Sequence, residues 1–523
     1  MKFPLLASLG LLVLSSCSTA PKSDAVSVPA SLAQIESLTR KGLDSDVARR
    51  DYAAATARIV AAWQAHTGDR PTTQPWIIQE GDQTWRIEPT WRKDLLFDTL
   101  IPITPTEERK LARVVKREGV GTPFVSRWKF TPERKKTNPF ITDAGYLSPV
   151  TVTLDPGPSR SGAHTLRLQV HDSRVDKTVK LAGHEQPLAA DFSAVGEWIM
   201  ENSKQKGMSM PGLGALRNSQ KYLDKLGLIS LEPPSATRIP VIFVHGLMSR
   251  PLTWHNAFNE LGADPDIQKN YQLYFFRYPS GVPVVYSAAK FRQNLALLRQ
   301  ELARIGNHRA VGNMVLIGHS MGGLVSKLQV QSSGDHLWVN VFGARPSELG
   351  FKPEEISAFK EYLEFNPNPD VSRVIFVCTP HRGSRMATGF VGAVGRRLIS
   401  LPGQILGNTF TLLQGDLPST GIVNRLVQKG LPSSIDNLSP SSRFVQESIK
   451  IPLRKGLHIH SIIGNKDGLP LTDPKCSDGV VPYTSAHLDG VESEFVLRSK
   501  HGAHERAEAI AEMRRILLLH LKK

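Results

Sequence analysis

Apolar residues arrive in this chain as short runs, and the spacing within the runs changes along its length. Leu32, Ile35 and Leu38 recur near helical spacing, and Ala53 to Ala62 is a strong helix former, so Ser31 to about His66 is predicted helical. Trp76 to about Lys136 is mixed and rich in Arg and Lys, and its pattern assigns no fold. From Pro149 the period shortens. Val150 to Leu154, Thr165 to Val170 and Val175 to Leu181 are β-rich runs separated by Pro, Gly, Ser and Asp, and Leu188 to Asn202 then reads as a helix. These strands fit either the antiparallel opening of a later sheet or a separate small β unit.

The pattern sharpens after about Arg238. Pro240 to Val244 is a continuous apolar run bounded by Pro and Gly, as expected of a strand buried on both faces. Tyr271 to Arg277, Asn313 to Ile317, Val374 to Cys378, Leu457 to Ile463 and Glu494 to Arg498 are similar, with helical segments between most of them. The clearest is Ala288 to Ile305, which places Phe291, Leu295, Leu298 and Leu302 on one face. Strands alternating with helices predict an α/β fold with a mostly parallel sheet covered on both sides. At 523 residues the chain exceeds one compact core. The expected division is 18–147 as tether and helical or mixed region, 148–237 as a β-rich segment, and 238–523 as the catalytic domain.

Chemistry concentrates in the last part. Gly318-His319-Ser320-Met321-Gly322 lies between a predicted strand and the helical stretch Leu324 to Gln331, the setting of a nucleophile elbow. Its glycines suit a tight turn that lifts the Ser320 hydroxyl and aims the Met321 N–H at a developing oxyanion. His245-Gly246-Leu247-Met248 ends the strand at Val244, and Leu247 N–H is the expected second oxyanion donor, with His245 a structural residue of that loop. A hydroxyl nucleophile needs a base held by an acid. Two acids compete: Asp478 in Ser477-Asp478-Gly479-Val480-Val481-Pro482, which is preferred, and Asp467 in Gly464-Asn465-Lys466-Asp467. Past the last strand, His501 is the expected base and His504 the runner-up. Thr379-Pro380-His381-Arg382-Gly383-Ser384 reads as site wall and scaffold, and the insert at 390–438, rich in Leu and Ile, as a cap or a buried helical excursion. The chain contains no HExxH and no CxxC pair, so no metal and no cofactor is expected.

The ordered set HGL, GHSMGG, TPHRGS and SDGVVP with a terminal His resembles the lipase and esterase-like α/β-hydrolases over roughly residues 238–523. The resemblance implies a serine carboxylic ester hydrolase working through an acyl-enzyme, with Ser320, Asp478 and His501 as triad and a lipid or small ester as substrate. An acyltransferase using the same acyl-enzyme, and a catalytically silent lipoprotein scaffold, are the alternatives. The intact Ser, Asp and His count against the scaffold.

Charge and the first residues add a location. Lys2, the apolar stretch Phe3 to Leu14 and then Leu14-Ser15-Ser16-Cys17 resemble a bacterial lipoprotein signal, residues 1–17, whose Cys17 becomes lipidated. Ser18 after that Cys implies the outer membrane of a cell envelope, and acyl chains would supply the anchor. The formal net charge of +16 fits attraction to anionic headgroups as well as it fits a passive basic surface. Nucleic acid is not expected, since no basic stretch is interleaved with aromatics. Cys378 and Cys476 remain; a disulfide between them is one reading, and a buried free thiol for Cys378 is preferred.

Overall fold

Two sheets organise the chain in a computed structural model that describes residues 27–103, 111–159, 162–202, 219–351, 353–385 and 437–522. Cys17 with its signal segment, and the insert at 390–438 up to residue 436, lie outside the described residues. Among the described residues no helix is long and apolar enough to cross a membrane.

The predicted N-terminal helix is two helices, α1 Val28–Lys41 and α2 Asp46–Thr67. The break falls at Gly42, whose φ of 93° is out of reach for a helical residue, and the Ser45 hydroxyl then caps α2 by accepting from Ala48 N–H. The stretch whose pattern assigned no fold contributes four strands to one sheet: β1 Trp76–Glu80, β2 Gln83–Trp91, β3 Thr99–Pro102 and β4 Thr122–Trp128. With β5 Tyr146–Pro156 and β6 His164–Asp172 they make a six-stranded sheet in the order β1-β2-β6-β5-β4-β3. The β-rich runs therefore belong to a separate unit. The boundary expected between residues 147 and 148 falls within β5. Leu32, Ile35, Tyr52, Ile59 and Trp63 of the helices pack on Val152, Leu154, Leu166 and Leu168 of this sheet. The Tyr52 hydroxyl donates to Leu154 O at 2.9 Å and accepts from Leu154 N–H at 2.7 Å, tying α2 to β5. Of the helix expected at Leu188 to Asn202, only α3 Ala194–Asn202 forms, because Ala190 and Asp191 pair with Lys116 and Arg117 as a short ladder.

The second sheet has seven strands: β7 Gly227–Ser230, β8 Ile239–Val244, β9 Tyr271–Arg277, β10 Met314–His319, β11 Val371–Val377, β12 His458–Gly464 and β13 Ser493–Leu497. Their order is β7-β9-β8-β10-β11-β12-β13, parallel throughout except for β7, which runs antiparallel at one edge. Alternate residues of β8 feed two cores. Ile242 and Val244 face Phe291, Leu295 and Leu298 of helix α4 Val284–Arg304, while Val241 and Phe243 face Ile510, Met513 and Leu517 of the terminal helix α6 Ala507–His520. This double burial is why the strand reads as one apolar run. The helix after β10 is α5 Met321–Lys327. The architecture is that of an α/β-hydrolase.

The two units meet through Leu147 and Val195 on one side and Leu231 and Phe258 on the other. Glu232 sits beside this seam. It accepts from Arg174 Nη1 of the first unit at 2.6 Å and from Arg238 Nη2, just before β8, at 2.8 Å. Burial opposes ionisation of Glu232, but the guanidinium groups of Arg238 and Arg174 outweigh it and hold the carboxyl below the usual glutamate range. Glu232→Gln leaves two guanidinium groups facing a neutral amide. The expected loss is about 3 kcal/mol, the low end for breaking a buried ion pair because this one is partly exposed. Since the native carboxyl titrates lower than the unfolded one, its stabilisation is complete above the unfolded value and disappears as pH falls through the native value. Thermal unfolding of both proteins across the acidic range checks this: the gap between them is expected to close as pH falls.

Candidate active site

The site begins with a steric constraint between β10 and α5. Ser320 follows β10 with φ of 54° and ψ of −125°, a conformation that costs any residue with a Cβ. Neighbouring glycines make it attainable. A Cβ on Gly322 would stand 2.3 Å from Val244 O, one on Gly318 would stand 2.6 Å from Gly322 O, and one on Gly323 would stand 1.9 Å from Thr379 Oγ1. The first turn of α5 thus rests directly on the ends of β8 and β11. Ser320 N–H donates to Val377 O at 2.8 Å, which fixes the turn to β11.

His501 and Asp478 come to Ser320 from the far edge of the sheet. His501 Nε2 lies 2.9 Å from Ser320 Oγ, and Nδ1 lies 2.7 Å from Asp478 Oδ2. The other carboxylate oxygen, Oδ1, accepts from the N–H groups of Val480 and Val481, each at 2.7 Å. The SDGVVP turn therefore satisfies one oxygen and aims the other at the imidazole. Asp467 does not take part: its side chain is 58% exposed and pairs with Lys466 at 3.5 Å. Cys378, Asp478 and His501 are a set of three potential metal donors within 4.8 Å of one another, but both nitrogens of His501 and both oxygens of Asp478 are already committed as described.

His504 is brought close without reaching the serine. It lies in the short turn Ala503–Glu505 before α6, and its Nε2 is 2.7 Å from Thr253 Oγ1. Its ring packs 3.9 Å from that of His319. His319 Nε2–H donates to the His501 carbonyl at 2.9 Å, so the residue before the serine clips the His501 loop to the elbow. Burial, together with His504 and His501, pushes the His319 imidazole well below its usual range. Burial, together with His501 and His255, pushes His504 down to about 3. Both rings are neutral packing groups at neutral pH.

The loop from His245 to Met248 is held from below. The Tyr278 hydroxyl donates to His245 O at 2.6 Å, its ring stacks on His245 at 4.4 Å, and Ser280 Oγ accepts from Met248 N–H at 2.9 Å. His245 is fully buried, which pushes it down to about 4 and fits it for a structural role in the loop. Leu247 N–H makes no hydrogen bond to a described residue. Met321 opens α5, where N–H groups have no intrahelical acceptor. These are the two donors expected from the sequence.

TPHRGS forms the scaffold beside the acid. Ser384 Oγ donates to Val480 O at 2.5 Å, Ser485 Oγ donates to Gly383 O at 2.6 Å, and Arg382 N–H donates to Ser485 Oγ at 3.1 Å. Tyr278, Ser280, His319 and Cys378 are the site residues that sequence reasoning left without a role. Of these only His319 carried a signal, its place inside the elbow motif. Cys378 and Cys476 are both free and buried, which bears out the preferred reading of Cys378 as a buried thiol and excludes the disulfide alternative.

No family profile and no curated protein matches the chain. Among solved structures it is similar to a Bacillus licheniformis lipase in mature form, at 17% identity over 56% of this chain and 97% of the other, with a TM-score of 0.32. It is similar to a metagenomic carboxyl esterase at 17% identity over 59% and 79%, TM-score 0.29. A phospholipase of Legionella pneumophila is similar at 19% identity over 48% and 45%, TM-score 0.28.

Proposed function

We propose that this protein is a serine hydrolase of carboxylic esters, with Ser320 as nucleophile, His501 as general base and acid, and Asp478 as the carboxylate that holds His501. The observation that carries the reading is the unbroken chain Ser320 Oγ, His501 Nε2, His501 Nδ1, Asp478 Oδ2, with steps of 2.9 and 2.7 Å. His501 Nε2 takes the hydroxyl proton as Ser320 Oγ bonds to the ester carbonyl carbon. The carbonyl oxygen gains negative charge and is received by Leu247 and Met321 N–H. The tetrahedral intermediate collapses, the C–O bond to the alcohol breaks, and His501 protonates the departing alkoxide. Water, deprotonated by His501, then frees the acid and regenerates Ser320. Asp478 keeps Nδ1 protonated so that Nε2 faces the serine, and it stabilises the imidazolium. The elbow supports this role because its strained backbone holds the hydroxyl at the ends of the strands.

We further propose that Cys17 carries acyl chains and anchors the enzyme to the outer membrane, which fits a lipid ester as substrate. The LSSC run and the positive charge support this part.

A fluorophosphonate probe is expected to label the wild type and leave Ser320→Ala unlabelled; equal labelling of both rejects Ser320. Asp478→Asn is expected to lower kcat on p-nitrophenyl esters by about a thousandfold or more. Asp467→Asn is expected to stay near wild type, and the reverse ranking rejects Asp478. Growth of bacteria with a palmitate analogue is expected to tag the wild type. Cys17→Ser is expected to lose the tag and leave the membrane fraction, and an untagged wild type rejects the anchor.

A further inference from the structure

Cys378 is the first residue past β11 and is 1% exposed. Its backbone has φ of 48°, one of four positive values outside glycine among the described residues; Ser320 is another. A cysteine gains nothing locally from that conformation, and its Cβ makes it unfavourable. The conformation is held while Cys378 N–H donates to Ile462 O at 2.9 Å. Its consequence is the position of the sulfur. Sγ lies within 4.8 Å of a carboxylate oxygen of Asp478 and a ring nitrogen of His501. The thiol stands beside Asp478, with Gly464 and Ala503 next to the sulfur. Gly464 ends β12, from which the acid loop departs, and Ala503 stands two residues beyond His501.

We infer that Cys378 is a positioning residue of the triad: its thiol braces the Asp478 carboxylate and joins the acid loop to the His501 loop. The inference rests on the assignment of Asp478 and His501 made above. Burial, and then the charge of Asp478, push the thiol well above its usual range, so it stays protonated and able to donate. A thiolate there would instead repel the carboxylate. The other titratable groups around the pair are His319 and His504, which are neutral, and Lys466, whose stem lies over Gly479. A donor on Asp478 spreads the carboxylate charge and moderates its pull on the protonated imidazole. Without it the carboxylate is less fixed and its pull on the protonated imidazole is no longer moderated.

Three variants separate this role from packing. Cys378→Ala removes the donor. Cys378→Gly removes it and suits the positive φ. Cys378→Ser keeps a donor. In Ala and Gly, kcat on a soluble ester is expected to fall about threefold to tenfold, the worth of one hydrogen bond from a weak thiol donor, with KM unchanged. The acidic limb of kcat/KM is expected to move up by about half a pH unit. Ser is expected to recover most of both changes. The low-field proton resonance of His501 Nδ1–H is expected to shift in Ala and Gly and to stay near its wild-type position in Ser. This last readout needs no turnover. A wild type that hydrolyses no ester therefore sinks the proposed function, while the resonance still decides the brace. Unchanged kcat, limb and resonance in both Ala and Gly overturn the inference, even if thermal stability falls. So does a Ser variant that behaves like Ala, which would reduce Cys378 to packing.

Discussion

The closest constraint in this molecule is the contact between the first turn of α5 and the ends of β8 and β11. There is no room for a single methyl group on Gly318, Gly322 or Gly323. Because the helix is pressed onto the sheet, the intervening residue is driven into positive φ, and that residue is Ser320. The same contact sets the Met321 amide at the helix start and brings it beside the loop that carries Leu247. A looser junction would relax the backbone, lower the hydroxyl and separate the two amides. The strain at Ser320 is sustained by packing elsewhere, chiefly the doubly buried strands beneath it.

Around this fixed point the polar groups are arranged so that few charges compete. His245, His319 and His504 all lie close to Ser320 and His501, and burial keeps each of them neutral. Each then works through shape or a single hydrogen bond. His319 ties the His501 loop to the elbow, His504 packs behind it on Thr253, and His245 stacks on Tyr278 under the loop that carries Leu247. Asp478 is the buried carboxylate that faces His501, and three groups hold it: two amides and the imidazole. A buried carboxylate so enclosed has little freedom to turn away from His501.

The N-terminal unit is joined to the catalytic sheet by both apolar and ionic contacts. Leu147 and Val195 meet Leu231 and Phe258, and Glu232 bridges Arg174 and Arg238. Arg238 immediately precedes β8, the strand that leads into the loop carrying Leu247. The first unit thereby bears on the entry to the catalytic sheet, far along the chain from its own core.

Local chemistry made much of this legible in the residues. The doubly buried strands announced themselves as apolar runs, since a strand covered on both faces has no polar side to show. The elbow was legible because a turn that tight requires glycine at fixed offsets, and the motif order placed Asp478 and His501 after it. The sheet at Trp76 to Trp128 was not legible. Its strands are short, β2 is half exposed, and β2 pairs in parallel with β6 some eighty residues on, so the stabilising partner leaves no mark in the local pattern. The split between α1 and α2 turned on one glycine whose φ only the folded chain defines. The choice between Asp478 and Asp467 was a matter of orientation: the SDGVVP turn points its carboxylate inward, while Asp467, eleven residues earlier, faces solvent. Nothing in the sequence marked Cys378 beyond its place at a strand end. Its nearness to Asp478 and His501 exists only because three strands end side by side, and side-by-side position across a sheet is a property of tertiary structure alone.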